Sequence, residues 1–522
     1  MPLPHSRRTW GAWDFVGFWF VLGVNISGWT TASSLLALGL NVWQAMLAVI
    51  IGNTIVGFAV ALSGLPGGDW QIGFPIINRS VWGMYGSFFP LLMRIILSFV
   101  WYGVQTWFGG KSMKVVIGAL WPGFISMENT LPESAAMKTN DCIAMMIFWI
   151  LSLPLLAIPP EYYKIPFRCV TIFSSVTMFS VFVWALAKER GGGPLISQPT
   201  MLLGAAEPSV PSELAWRFIL GITTIIGSIC AGILNQSDFT RFARKPGVQI
   251  LPQIFCAPIM SVLTAAIGLV TTSCAAGFYP GEALLWQPYD LLIAIQTHEG
   301  NSARAATFFA GCAFVVSQMG VNVSVNGISG GIDLAGVFPR YLNIRRGAYI
   351  TAVVGLAVNP WQLLNTANTF ITVLSSFAVF LGPASGLMAA DYVIIRQRKL
   401  KLSHLYKASS VSIYWYTAGF NSRAFIAWVM GVWPLMPGFV AAIQRRMVPM
   451  GWLHVCDLAW LFGFVVSGTT YVILCKIWPP HGLQIVDTDS DTGIFGNIPT
   501  RRQAVGANAR VQCGRVEVHD AL

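Results

Sequence analysis

Twelve apolar stretches, most of them close to twenty residues long, follow one another along this chain, separated by segments that carry charge, Gly or Pro. A helix needs about 20 such residues to cross a bilayer. The stretches lie near residues 15–39, 42–64, 88–110, 142–159, 168–187, 216–236, 252–278, 303–330, 347–361, 369–395, 423–444 and 453–475, the ninth being the shortest. Composition closes the soluble alternative. Only 10% of the 522 residues are charged, against about 25% in soluble domains, and a single core stops growing at about 250–300 residues. The remaining apolar surface must face lipid. The fold class expected is an all-α integral membrane protein with twelve transmembrane helices embedded in the lipid bilayer.

Charge then sets topology. With the N-terminus placed in the cytoplasm, the inside segments hold the larger share of Lys and Arg, including Arg241, Arg244, Lys245, Arg345, Arg346, Arg396, Arg398 and Lys399; Arg445 and Arg446 fall outside. The positive-inside rule therefore favours two cytoplasmic termini. The first stretch has no small-residue cleavage site and is too long for a signal sequence, so it is expected to be retained. The expected organisation is a short cytoplasmic N-terminus (1–14), a twelve-helix body (15–476) and a polar cytoplasmic tail (477–522). Basic residues scattered between spans argue against a nucleic-acid partner. Nine cysteines, mostly single and inside apolar runs, show no metal-ligand spacing, and no cofactor is expected.

Two spans are interrupted at mid-length. The first carries Gly23, Asn25, Ser27 and Gly28; the sixth carries Gly227, Ser228 and Gly232, followed by Asn235 and Gln236. If ten spans form two five-helix halves, these are the leading helices of each half, and matched interruptions point to a transporter binding site near the midplane. Small residues that merely allow close helix packing are the alternative for either span alone.

Uncharged polar residues inside the spans are the next signal. Trp101 and Gln105 stand four apart and share a helix face, so a planar heterocycle could stack on the indole while the amide pairs with its edge. Ordinary packing and an interhelical hydrogen bond explain that pair equally well. In the eighth span Gln318, Asn322 and Asn326 form one amide stripe, which must face the bundle interior or a wet cavity. No Asp, Glu or His stands at the centre of a span; Asp14, Asp238, Asp333 and Asp391 lie near ends, and Arg94 is the deepest charge. A carrier of a neutral small molecule suits this inventory better than an enzyme.

The motifs RRTWGAWDF (7–15), GFPIINRSVWG (73–83), WYGVQTWFGG (101–110), NQSDFTRFARKP (235–246), WQPYDLL (286–292), NPWQLL (359–364), FLGPASGLMAADY (380–392) and YWYTAGFNSRAF (414–425) resemble, in order and spacing, the nucleobase cation symporter family 1, and within it the fungal uracil and allantoin permease-like branch. The resemblance implies a LeuT-type fold: a 5+5 inverted repeat (15–187 and 216–395) plus two C-terminal helices (423–475), with alternating access around a central site. It implies that Trp101 stacks on the substrate ring, that Gln105 hydrogen-bonds its edge, and that Asn326, four residues after Asn322, binds it too. Asn25 lies in the first break beside this site.

Departures from the family pattern refine the expectation. A second aromatic in bacterial members, nine residues before the Asp that ends the sixth helix, is Ile229 here, which leaves a one-sided stack or an aromatic from elsewhere, Trp29 or Phe377. Hydroxyl residues that help bind sodium in those members are Gly320 and Val321 here. The fungal resemblance implies proton coupling instead, with no residue identified to carry the proton. Ser422 also departs, without clear consequence. The expected function is import of uracil or allantoin by proton symport, at the plasma membrane; larger substrates (uridine, thiamine, nicotinamide riboside) and a non-transporting nutrient sensor are the alternatives. Sequence fixes no oligomeric state.

Overall fold

The computed structural model describes residues 2–158, 164–198, 211–444, 447–483 and 485–487. The expected tail beyond these lies outside the described residues, as do Arg445 and Arg446. In chain order the helices are α1 (Ala12–Gly23), α2 (Ile26–Ser34), α3 (Val42–Trp70), α4 (Phe74–Trp82), α5 (Phe88–Leu120), α6 (Thr139–Ser152), α7 (Lys164–Glu189), α8 (Pro211–Leu234), α9 (Ser237–Thr240) and α10 (Ala257–Phe278). They continue with α11 (Pro288–His298), α12 (Gly300–Val321), α13 (Ile328–Val337), α14 (Ile344–Ala357), α15 (Ala367–Ala389), α16 (Leu402–Leu405), α17 (Ser422–Val432), α18 (Met436–Gln444), α19 (Met450–Asp457) and α20 (Ala459–Ile477).

Among the described residues ten helices are long and apolar enough to cross a membrane, and the bent pair α1–α2 makes an eleventh. The short ninth stretch is where the count departs from twelve: α14 has 14 residues, about 21 Å at 1.5 Å per residue, before Asn359 adopts a left-handed φ of 54° ahead of Pro360. Other spans overrun their apolar runs. The third reaches 33 residues, and the eighth continues through a π turn at Asn322–Gly327 into α13 for 38 residues in all. Large apolar side chains such as Ile96, Ile172, Phe173, Phe309 and Val465 stay exposed on the outer faces, as a lipid-facing surface requires.

The break in the first span has a local cause. Asn25 is extended (φ −149°, ψ 169°) and caps α2, its side-chain oxygen accepting from the Gly28 N–H at 3.0 Å. This satisfies a donor that a continuous helix would have used, and the axis bends by 52°. In the sixth span α8 ends at Leu234, and Asn235 and Gln236 lead into the single turn of α9. Close packing holds the long helices against these breaks: a Cβ on Gly227 of α8 would stand 2.1 Å from the Leu374 carbonyl of α15.

Charge is gathered at two levels on either side of this centre. Lys114 of α5 binds Asp141 and Asn140 of α6 at 2.8 and 2.9 Å, and Lys111 reaches Asp290 of α11 at 3.2 Å. At the N-terminal end of the bundle Asp391 pairs with Arg396 at 2.8 Å. Burial pushes the nearby Tyr414 phenol up to about 12, so it remains neutral while accepting from the Lys401 N–H. The first residues are tied here too: Trp10 exchanges backbone hydrogen bonds of 2.9 Å with Phe242 and Arg244 and stacks on the Phe242 ring, linking α1 to the segment after α9.

Candidate functional site

The two breaks, the middle of α5 and the π turn that follows α12 border a cavity of about 160 Å³. Its lining includes Asn25, Trp101, Gln105, Ile229 and Asn326, together with Ser27, Asn53, Ser228, Asn235, Gln236 and Arg94. Trp101 and Gln105 stand one turn apart on α5 and reach the same space, as their spacing requires.

Around them run two amide arms. On one, Asn322 donates to the Tyr102 carbonyl at 3.2 Å and to the Thr106 hydroxyl at 3.0 Å, and its oxygen accepts from Asn326 Nδ2 at 3.2 Å. Asn322 is fully buried and lies behind the lining, holding Asn326. On the other, Gln318 Nε2 donates to Gln105 Oε1 at 2.6 Å and Gln105 Nε2 donates to Ser27 Oγ at 2.7 Å. The amide stripe that runs from α12 into the π turn is thus divided: Gln318 and Asn322 support, and Asn326 reaches the cavity.

Trp29, offered as a replacement for the second aromatic, is placed elsewhere. Its fully buried ring packs against α10, where a Cβ on Gly268 would stand 2.9 Å from the indole, and it does not line the cavity. Phe377 lies 6.2 Å from Trp101, ring to ring, but it lines a separate groove with Phe89, Met93 and Phe380 and not the cavity. Ile229 faces the cavity, so the wall supplied by α8 is aliphatic.

Sequence position alone concealed the charges. Asp333, near the end of α13, is completely buried and receives Arg94 Nε and NH2 at 2.9 and 2.6 Å; a third Arg94 nitrogen reaches the Ala231 carbonyl at 3.3 Å. Asp238 accepts from the Phe74 N–H at 2.9 Å, and the Arg94 guanidinium lies 5.2 Å over the Phe74 ring. One buried oxygen on each of Asp238 and Asp333 has no hydrogen-bond partner. Arg94, the one ionisable side chain among the described residues that line the cavity, thus has Asp333 as its direct partner, while Asp238 is held by the Phe74 backbone beside it. The pairing of Arg94 with Asp333 leaves no unpaired ionised side chain among the described lining residues, which suits a neutral ligand. The signal that could have found this was Arg94 itself, a charge in a span that demands a partner. No group of three His, Cys, Asp or Glu suited to a metal occurs among the described residues.

A family model described as permease for cytosine/purines, uracil, thiamine and allantoin matches residues 2–463. Among curated relatives, a transporter of Aspergillus oryzae is 36% identical over 95% of this chain and 88% of its own length. The allantoin permease of Saccharomyces cerevisiae is 31% identical and the uracil permease of the same yeast 29%, each over 95% of this chain and 78% of the relative. Among solved structures, Mhp1, a nucleobase-cation-symport-1 family transporter in a closed conformation with bromovinylhydantoin bound, superposes with a TM-score of 0.68 at 21% identity. The match covers 94% of this chain and 97% of Mhp1, and shows a shared fold.

Proposed function

This chain belongs to the family of permeases for cytosine and purines, uracil, thiamine and allantoin, and on that premise we propose that it imports a small neutral heterocycle, uracil or allantoin, by proton symport. The observation that carries the reading is the cavity at the two helix breaks, where the Trp101 indole and the Gln105 and Asn326 amides line one space in which Arg94 is the one ionisable side chain among the described residues, paired with Asp333. Uracil is flat enough to stack on Trp101 and presents alternating N–H and C=O groups for Gln105 and Asn326. A cavity of about 160 Å³ is small beside the roughly 300–1,000 Å³ of drug-sized sites, which favours a single ring. Relatives named for allantoin and uracil transport support the same class.

In this reading the chain has twelve spans, with α14 and the turn after it as the ninth, arranged as two inverted five-helix repeats led by the broken helices. Both termini are cytoplasmic and the membrane is the plasma membrane. Coupling runs through Arg94, Asp333 and Asp238: a proton on Asp333 weakens its hold on Arg94, whose side chain borders both the cavity and the Ala231 carbonyl before the second break. Substrate and proton together favour closure of the breaks, since a ligand shifts a conformational equilibrium only by its differential affinity for the two states.

The experiment is labelled uptake in a transport-deficient cell with uracil, allantoin, uric acid, uridine and thiamine, with and without a protonophore or sodium. Uptake of uracil or allantoin that collapses with the protonophore supports the reading, and sodium-dependent uptake indifferent to it reverses the coupling assignment. Asp333→Asn should retain downhill exchange of substrate but lose accumulation driven by the proton gradient.

A second reading, transport of uridine, thiamine or nicotinamide riboside, is favoured by relatives of those names at 29–31% identity and by the aliphatic Ile229 wall. Competition of uptake by those compounds decides between them.

A further inference from the structure

The two amide arms differ in what fixes their direction. Asn322 is held by the backbone carbonyl of Tyr102, which can only accept, and by a Thr106 hydroxyl that already donates to that same carbonyl at 2.8 Å. Its oxygen must therefore face Asn326, which must present nitrogen to it.

The Gln318–Gln105–Ser27 chain has no such anchor. Gln318 is fully buried, its one hydrogen bond goes to Gln105, and its own oxygen has no partner. At the other end the Ser27 hydroxyl can donate or accept. Turning both amides over makes the same two hydrogen bonds in the opposite direction: Ser27 to Gln105 oxygen, and Gln105 nitrogen to Gln318 oxygen.

We infer that Gln318 is the positioning residue for Gln105, and that with Ser27 it makes this arm of the cavity reversible in polarity. In one direction the arm offers the Ser27 O–H and a Gln105 N–H to a ring carbonyl; in the other it offers oxygen lone pairs to a ring N–H. Asn326 reads one edge of the ring with a fixed polarity, and Gln105 reads the other with a polarity the substrate selects. The inference rests on the proposed heterocycle transport.

The test is uracil uptake kinetics, normalised to surface level, in Gln318→Met, which keeps the side-chain length and removes its donor and acceptor. KM is expected to rise about tenfold with Vmax unchanged. The same substitution in a Gln105→Ala background is expected to add little, because the amide that Gln318 positions is already gone. Gln318→Glu, assayed at pH 5 where a neutral carboxyl keeps an O–H donor in the same place, should bring KM within about threefold of wild type at that pH. An unmoved KM in Gln318→Met, effects that add fully in the Gln105→Ala background, or no rescue by Gln318→Glu overturns the inference. Wild-type protein that takes up no heterocycle refutes the transport reading instead, and the two failures are separate.

Discussion

Asn326 and Gln105 carry the same functional group on the wall of one small cavity, yet the structure holds them in unlike ways. The Asn326 arm ends on a backbone carbonyl, and every hydrogen-bonding direction in it follows from that acceptor. The Gln105 arm ends on a hydroxyl and on an unpartnered amide oxygen. A rigid reader beside a compliant one gives orientation from the first and tolerance from the second. The difference lies in what stands behind the visible amide, since a buried donor or acceptor left unpaired costs about 1–3 kcal/mol, more than a hydrogen bond contributes on balance.

Breaking the anchored arm should do the most damage. Asn322→Ala leaves the Asn326 amide without its partner and takes one of two hydrogen bonds from the Thr106 hydroxyl, which still donates to the Tyr102 carbonyl. The unpaired Asn326 amide, at about 1–3 kcal/mol, and the lost Thr106 bond, at about 0.5–1.5 kcal/mol, predict a fall in uptake efficiency of about a hundredfold at equal surface level. A loss no larger than that of the Gln105 variant would show that the anchor is unimportant. Gln105→Ala removes the compliant reader itself, so KM for uracil should rise about tenfold; wild-type affinity would take Gln105 out of the site. Ser27→Ala leaves Gln105 held by Gln318 and removes one hydrogen bond worth about 0.5–1.5 kcal/mol. A KM increase of about threefold is expected, measured in the same assay, and an effect equal to that of Gln105→Ala would make Ser27 a direct reader of the ring.

The contrast also marks how far sequence reaches. Residues one turn apart, such as Trp101 with Gln105 or Asn322 with Asn326, share a face by helical geometry, so their meeting was legible from spacing. The interrupted first and sixth spans were legible too, because Gly and Asn inside an apolar run disturb the pattern that defines the run. What joins the arms was not. Gln318 meets Gln105 across 213 residues, Gln105 meets Ser27 across 78, and Arg94 meets Asp333 across 239. These contacts depend on how helices pack, and periodicity carries no information about that. Trp29 failed for the same reason: being near a break says nothing about which neighbour its ring faces, and the space left by Gly268 drew it toward α10. Asp333 looked peripheral because it lies past the end of its apolar run, although the span of α12, the π turn and α13 carries on for 38 residues and brings it against Arg94 of the cavity wall.

The central claim is that the cavity at the two breaks binds the transported ring, with Trp101 as its stacking surface. Labelled uracil and allantoin uptake should be compared in wild type and Trp101→Ala at matched surface level, with the proton gradient intact. The account predicts saturable wild-type uptake of one of the two, competed by excess unlabelled compound, and its loss by at least tenfold in the variant. Trp101→Ala protein that transports with wild-type KM and Vmax would contradict it.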